Sequence, residues 1–138
     1  GLVTEGQYFK LPIWATNIPD FLGVELDLSF DPDRLEIVGK TLDISMGTLF
    51  ASEGESPATV RWTMPFVAND TGQILGLKAQ RSGKLNNAYG TVMTIYFRAK
   101  QAGLARVSVE NARVIIPEAV LDPSYFEVEH RDILIQPR

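Results

Sequence analysis

The 138-residue sequence has no cysteine. That excludes disulfides, thiolate nucleophiles and cysteine-held metals together. It has one histidine, His130. A Ser-His-Asp triad or a multi-histidine zinc site would therefore need residues from another chain. No apolar run approaches the ~20 residues of a membrane-spanning helix. Cations are outnumbered, 13 Lys and Arg against 17 Asp and Glu, for a net charge of −4. No basic tract with interleaved aromatics is present to neutralise phosphates, which argues against nucleic acid and against an anionic membrane surface. The first residues show no signal-peptide pattern, as in a mature or excised domain. Internal repeats, linkers and low-complexity tracts are missing. So is any segment beyond ~10 residues with the i, i+3, i+4 spacing of an amphipathic helix.

What is present is period-two alternation. A chain of this length makes one domain and buries roughly 68–70% of the surface its unfolded form exposes. Hydrophobic residues make up 45% of it, enough for a core without staples. Strand side chains point to opposite faces in turn. "YFKLPIWATNI" (8–18) puts Phe9, Leu11, Ile13 and Ala15 on one face. "GVELDLSF" (23–30) does the same with Val24, Leu26, Leu28 and Phe30. "RLEIVGKTL" (34–42) reads as a shorter apolar strand. "TVRWTMPF" (59–66) sends Val60, Trp62 and Met64 inward, and "QILGLKAQ" (73–80) sends Leu75, Leu77 and Ala79 inward. "TVMTIYFRAK" (91–100) buries Met93, Ile95 and Phe97. "ARVSVENARVII" (105–116) and "FEVEHRDILIQ" (126–136) complete the set. Turn-rich segments separate the runs, with "NDTG" (69–72) as a hairpin connection and "DPDRL" or "PEAVLD" as single helical turns. The fold class is all-β, a two-sheet antiparallel β-sandwich of about eight strands.

Four features invite a functional reading. Glu25 and Asp27 sit roughly 6.5–7 Å apart along one strand face. That spacing suits a glycosidase pair, but such a pair also needs a cleft and a raised acid pKa, neither of which the sequence suggests, and a solvated face is the simpler reading. "NDTG" offers one charge, Asp70, and lacks the repeated oxygens of a calcium loop. Trp14 and Tyr96 both point away from the core. They fit a cross-strand aromatic pair, a protein contact or a platform for sugar rings. Finally, Arg61, Thr63, Ile74, Gly76, Lys78 and Gln80 form a mixed face flatter than most solvated sheets, suited to docking.

The order of these motifs resembles cohesin domains. The stretch "VTEGQYFKLPIWATNIPDFLGVELDLSFDPDRLEIVG" (3–39) resembles their opening. It shares the Gly-polar-x-Phe entry, the alternating strand, a strand ending in Phe-Asp-Pro and a following Leu-Glu-Ile. "GTVMTIYFRAKQAGLARVSVENARV" (90–114) resembles a later cohesin run. The similarity spans residues 3–136.

That resemblance implies a flattened jelly-roll sandwich of eight to nine strands with no catalytic activity. It implies an extracellular or cell-surface location, in scaffoldins or other secreted proteins. The implied partner is a dockerin, which carries the calcium, so this chain needs no cofactor or metal of its own. The implied docking sheet orders the segments 105–116, 23–30, 73–80 and 59–66. Carried over residue by residue, its contacts are Gly23, Glu25, Asp27, Arg61, Thr63, Gly76, Lys78, Gln80 and Arg81. At Gly23 many cohesins have a hydrogen-bonding Asn, and this chain departs from that pattern. The family's first strand is only a stub here, so either the chain is trimmed or "DILIQ" (132–136) pairs with a very short partner. The alternative reading is a carbohydrate-binding module using Trp14 and Tyr96.

Overall fold

A computed structural model describes residues 2–51, 59–121, 127–128 and 131–138. The strands form two sheets around one core. The larger sheet runs in the order β1 (Leu2–Thr4), β13 (Arg131–Gln136), β10 (Gly103–Ile116), β3 (Phe21–Phe30), β8 (Gln73–Leu85) and β6 (Arg61–Thr63). Two short strands complete it, β11 (Ala119–Leu121) beside β10 and β7 (Phe66–Ala68) beside β8. The smaller sheet is β12 (Glu127–Val128), β2 (Tyr8–Ile18), β9 (Ala88–Ala99) and β4 (Leu35–Glu36), with β5 (Ile44–Met46) also on β9. Every pairing is antiparallel except β1 with β13. This is the sandwich the alternation predicts, cut into more segments than the eight to nine expected. His130, and the parts of "PEAVLD" and "FEVEHRDILIQ" that fall in 122–126 and 129–130, lie outside the described residues.

The core is built by the alternation itself. Leu11, Ile13 and Ala15 of β2 meet Val24, Leu26, Leu28 and Phe30 of β3 in one apolar cluster. Phe97 of β9 joins the two sheets. It stacks on Phe9 at 5.8 Å and meets Phe30 edge-on at 5.4 Å, geometries that favour aromatic pairs beyond their burial.

Four expectations need correction, each for a local reason. "RLEIVGKTL" is strand only at Leu35–Glu36 before turning into a 3-10 helix over Lys40–Asp43. A second 3-10 turn among the described residues is Thr48–Phe50. "PEAVLD" turns directly into β11, whereas "DPDRL" does make one helical turn, the Leu35 N–H bonding the Asp31 carbonyl four residues back. "TVRWTMPF" breaks at Met64–Pro65, since proline has no N–H to give a ladder, and Met64 is exposed rather than inward. Last, Ile74 is buried and Leu75 exposed, the reverse of the expected phase. By contrast "NDTG" is the expected hairpin, with Ala68 facing Gln73 across it. The partner of "DILIQ" is the three-residue β1, with Leu2 opposite Leu134.

Candidate functional site

The four segments expected to form a docking sheet are neighbours in the expected order, β10, β3, β8 and β6. Their outward residues line up across the strands. Arg113, Glu25, Lys78 and Thr63 share one row, and Gly23, Gln80 and Arg61 share the next. Glu25 thus stands between two cations and bonds one of them, Lys78, at 2.9 Å. Although the whole chain is acidic, this end of the sheet carries Arg61, Lys78 and Arg113 against Glu25. A surface of that kind gives orientation and partner choice more than raw affinity.

Beside the Glu25 row the sheet is irregular on both sides of β3. Leu26 faces Leu77 and Leu28 faces Ile74, so Leu75 and Gly76 together oppose Asp27. On the other side Asp27 faces Glu110 and Glu25 faces Arg113, so Asn111 and Ala112 together oppose Leu26. Each is a β-bulge, two residues against one. Each contains a left-handed residue, Gly76 at φ 79° and Asn111 at φ 51°, the residue types that tolerate this conformation. The Asp27 carboxylate joins them. One oxygen accepts the Gly76 N–H at 2.8 Å, and the other accepts the Asn111 side-chain amide at 2.9 Å. A shallow depression of about 340 Å³ lies over the irregularity, lined by Glu25, Asp27, Gly76, Lys78, Asn111 and Arg113. Both carboxylates that suggested a glycosidase pair are therefore engaged, one with a lysine and one with two strand irregularities.

The remaining candidates divide. Arg61 and Thr63 are exposed and Gln80 is half-buried on the same outer face. Gly23 is buried, and a Cβ there would run into the Ala79 carbonyl oxygen, so its lack of a side chain is imposed by the β3–β8 approach. Arg81 does not join the face. It is 3% exposed and donates to the Gly83 and Leu49 carbonyl oxygens, both at 2.7 Å. Its position continues the inward alternation of Leu77 and Ala79. Sequence reasoning missed Arg113, Asn111 and an apolar cross-strand pair. Phe66 and Leu75 face each other in register and are 68% and 37% exposed. The signal was "ILGL", where a glycine inside a strand marks a bulge. Further along the same sheet Leu2, Leu134 and Leu104 form an exposed row beside the Arg106–Asp132 ion pair. The Asp132 hydrogen bond, with its charge, holds the Arg106 guanidinium above its ordinary pKa.

Trp14 and Tyr96 lie on the outer face of the other sheet, as alternation predicts, but pair with other rings. Tyr96 stacks on Tyr8 at 5.4 Å, and Trp14 packs tilted on Tyr89 at 5.5 Å. Among the described residues no group of three His, Asp or Glu side chains is placed to hold a metal ion, and no helix is long and apolar enough to cross a membrane.

Neither a protein-family model nor a curated protein matches the sequence. Solved structures do match the fold. A type II cohesin domain from the cellulosome of Acetivibrio cellulolyticus superposes with TM-score 0.75 at 15% identity, covering 96% of this chain and 88% of that one. The cohesin of a type I cohesin–dockerin complex from Clostridium thermocellum superposes with TM-score 0.67 at 12% identity, covering 99% and 89%. A non-cellulosomal cohesin from the hyperthermophilic archaeon Archaeoglobus fulgidus gives TM-score 0.64 at 16% identity, covering 98% and 85%. The chain has the cohesin fold over nearly its whole length.

Proposed function

We propose that this chain is a non-catalytic interaction module that binds a calcium-loaded dockerin through the outer face of its eight-stranded sheet. In that role it assembles multiprotein complexes outside the cell or at its surface. The observation that carries the reading is the register across β10, β3, β8 and β6. It gathers Arg113, Glu25, Lys78, Thr63, Gln80 and Arg61 on one face of a sheet held by a continuous core. Solved neighbours that include a cohesin–dockerin complex support the choice of partner. The physics suits it. A sheet already rigid before binding loses little freedom on docking, and a few central contacts supply most of the affinity.

Titration calorimetry against a panel of dockerins tests the proposal. Binding is expected in calcium and lost in a chelator, because the calcium belongs to the partner. Glu25→Arg together with Lys78→Glu should weaken it about tenfold or more, a change of ~1.4 kcal/mol. Unchanged affinity in that double variant would remove this face from the interaction.

A second reading keeps the exposed aromatics of the other sheet, Trp14 and Tyr96, as a polysaccharide platform. The Tyr8–Tyr96 stack favours it, since flat exposed rings suit sugar faces. Each ring, however, already spends part of its surface on a neighbouring tyrosine. Tryptophan fluorescence during titration with soluble oligosaccharides decides it. No response, and no difference between the unaltered domain and Trp14→Ala, would end this reading.

A further inference from the structure

We propose that Asp27 is a positioning residue of the docking face: it clasps the bulges of both neighbouring strands, and so turns Leu75 outward beside Phe66 as an apolar anchor for the partner. The inference rests on the docking reading above, and it changes the role of Asp27 from a recognition group to the residue that shapes the surface around it.

Consider what the strands would do without it. Counting back from Leu77 and Ala79, unbroken alternation would bury Leu75 and expose Ile74. The extra residue at Leu75–Gly76 inverts that phase, so Ile74 is buried and Leu75 stands outside against Phe66. A bulge frees one N–H from the ladder, and here the freed donor of Gly76 is taken by Asp27. The second oxygen of the same carboxylate holds the Asn111 amide across β3. One side chain thus fixes both irregularities. Charge-assisted hydrogen bonds of this kind are the stronger ones. A Cβ on Gly76 would meet open space, so it is the left-handed φ of 79°, not lack of room, that calls for glycine at the bulge. The anchor is well placed for a helical partner. Leu75, opposite Phe66, directly precedes Gly76, which lines the depression whose walls carry Lys78 and Arg113. A dockerin helix that sets an apolar side chain on that pair and an acidic one toward those cations matches both.

The test uses Asp27→Ala, Asn111→Gly, which keeps the left-handed backbone while removing the amide, and the exchange Asp27→Asn with Asn111→Asp. In the exchange the carboxamide introduced on β3 still accepts the Gly76 N–H and donates to the carboxylate introduced on β10. Both bonds are restored, with donor and acceptor swapped between the strands. Hydrogen exchange of the Gly76 amide is read without partner, and affinity is read with a dockerin that binds the unaltered domain. Asp27→Ala should expose the Gly76 amide and weaken the dockerin about tenfold, the scale of losing hydrogen bonds to a charged group. The exchange should recover both readouts, which a merely destabilised domain would not do. Should Asp27→Ala prove too unstable to purify, Asn111→Gly carries the same two measurements with half the clasp removed. An unchanged Gly76 exchange rate would overturn the clasp. Faster exchange with unchanged affinity would overturn the positioning role. If no dockerin binds the unaltered domain, the docking reading falls and the positioning role with it, while Gly76 exchange still decides the clasp.

Discussion

Two glycines on the proposed docking face are there for opposite reasons, and substitution separates them. Gly23 is held by space, since a Cβ would collide with the β8 backbone at Ala79. Gly76 is held by angle, since its φ of 79° is left-handed while the space around it is open. Gly76→Ala should lower stability by ~1–2 kcal/mol, the cost of a left-handed L-residue. Gly23→Ala should cost more, because backbone must move on two strands. Urea denaturation of the two variants measures both, and equal losses would contradict the distinction. Neither role was read from the sequence. Gly23 stood out only because a glycine sits where a hydrogen-bonding residue was expected, which says nothing of the Ala79 carbonyl it approaches. Gly76 looked like part of a flat face, and nothing in "ILGL" alone says which neighbour turns outward.

At the level of strands, alternation predicts well wherever the phase is unbroken. In β3, Val24, Leu26, Leu28 and Phe30 are all buried as predicted. It fails where a strand gains a residue. The inward set of β10 passes from Ala105 and Val107 to Ala112 and Val114, a change from odd to even positions that marks the Asn111 bulge. The same mechanism misplaced Ile74 and Leu75, whereas Arg81 follows the unbroken alternation of Leu77 and Ala79. A period-two reading has no term for a bulge, which is decided by pairing with a distant strand. The brief β1 also escaped a firm reading, because three residues carry too little pattern. Its effect is nonetheless concrete. It covers the edge of β13 through parallel pairing at Leu2, Val3 and Thr4, extended by the Glu5 N–H on the Gln136 carbonyl. Deleting residues 1–5 would leave β13 as an open edge, a template for pairing between chains. The shortened domain should melt several degrees lower, since ~1 kcal/mol shifts Tm by ~2–8 °C at this size. It should also associate at high concentration, as read by scanning calorimetry and size-exclusion chromatography. An unchanged melting temperature would mean that β1 contributes nothing to the sheet.

At the scale of the molecule, the two sheets act as one body because they share a core. Phe97 is fully buried where β9 meets Phe9 and Phe30. Phe97→Ala should destabilise the domain by ~3–5 kcal/mol, the usual range for a buried phenylalanine, in a single unfolding transition. Two transitions would show that the sheets unfold separately. That shared core backs the outer face of β10, β3, β8 and β6, while the aromatic pairs of the other sheet stand on the opposite side of the sandwich. The two proposed functions therefore predict binding on opposite faces. The most direct measurement is an NMR titration of the labelled domain with a calcium-loaded dockerin, following backbone amides on both sheets. Shifts concentrated at Glu25, Gly76, Lys78 and Arg113, with Trp14 and Tyr96 unmoved, are the expected result. Shifts confined to β2 and β9, leaving β3, β8 and β10 unchanged, would contradict it.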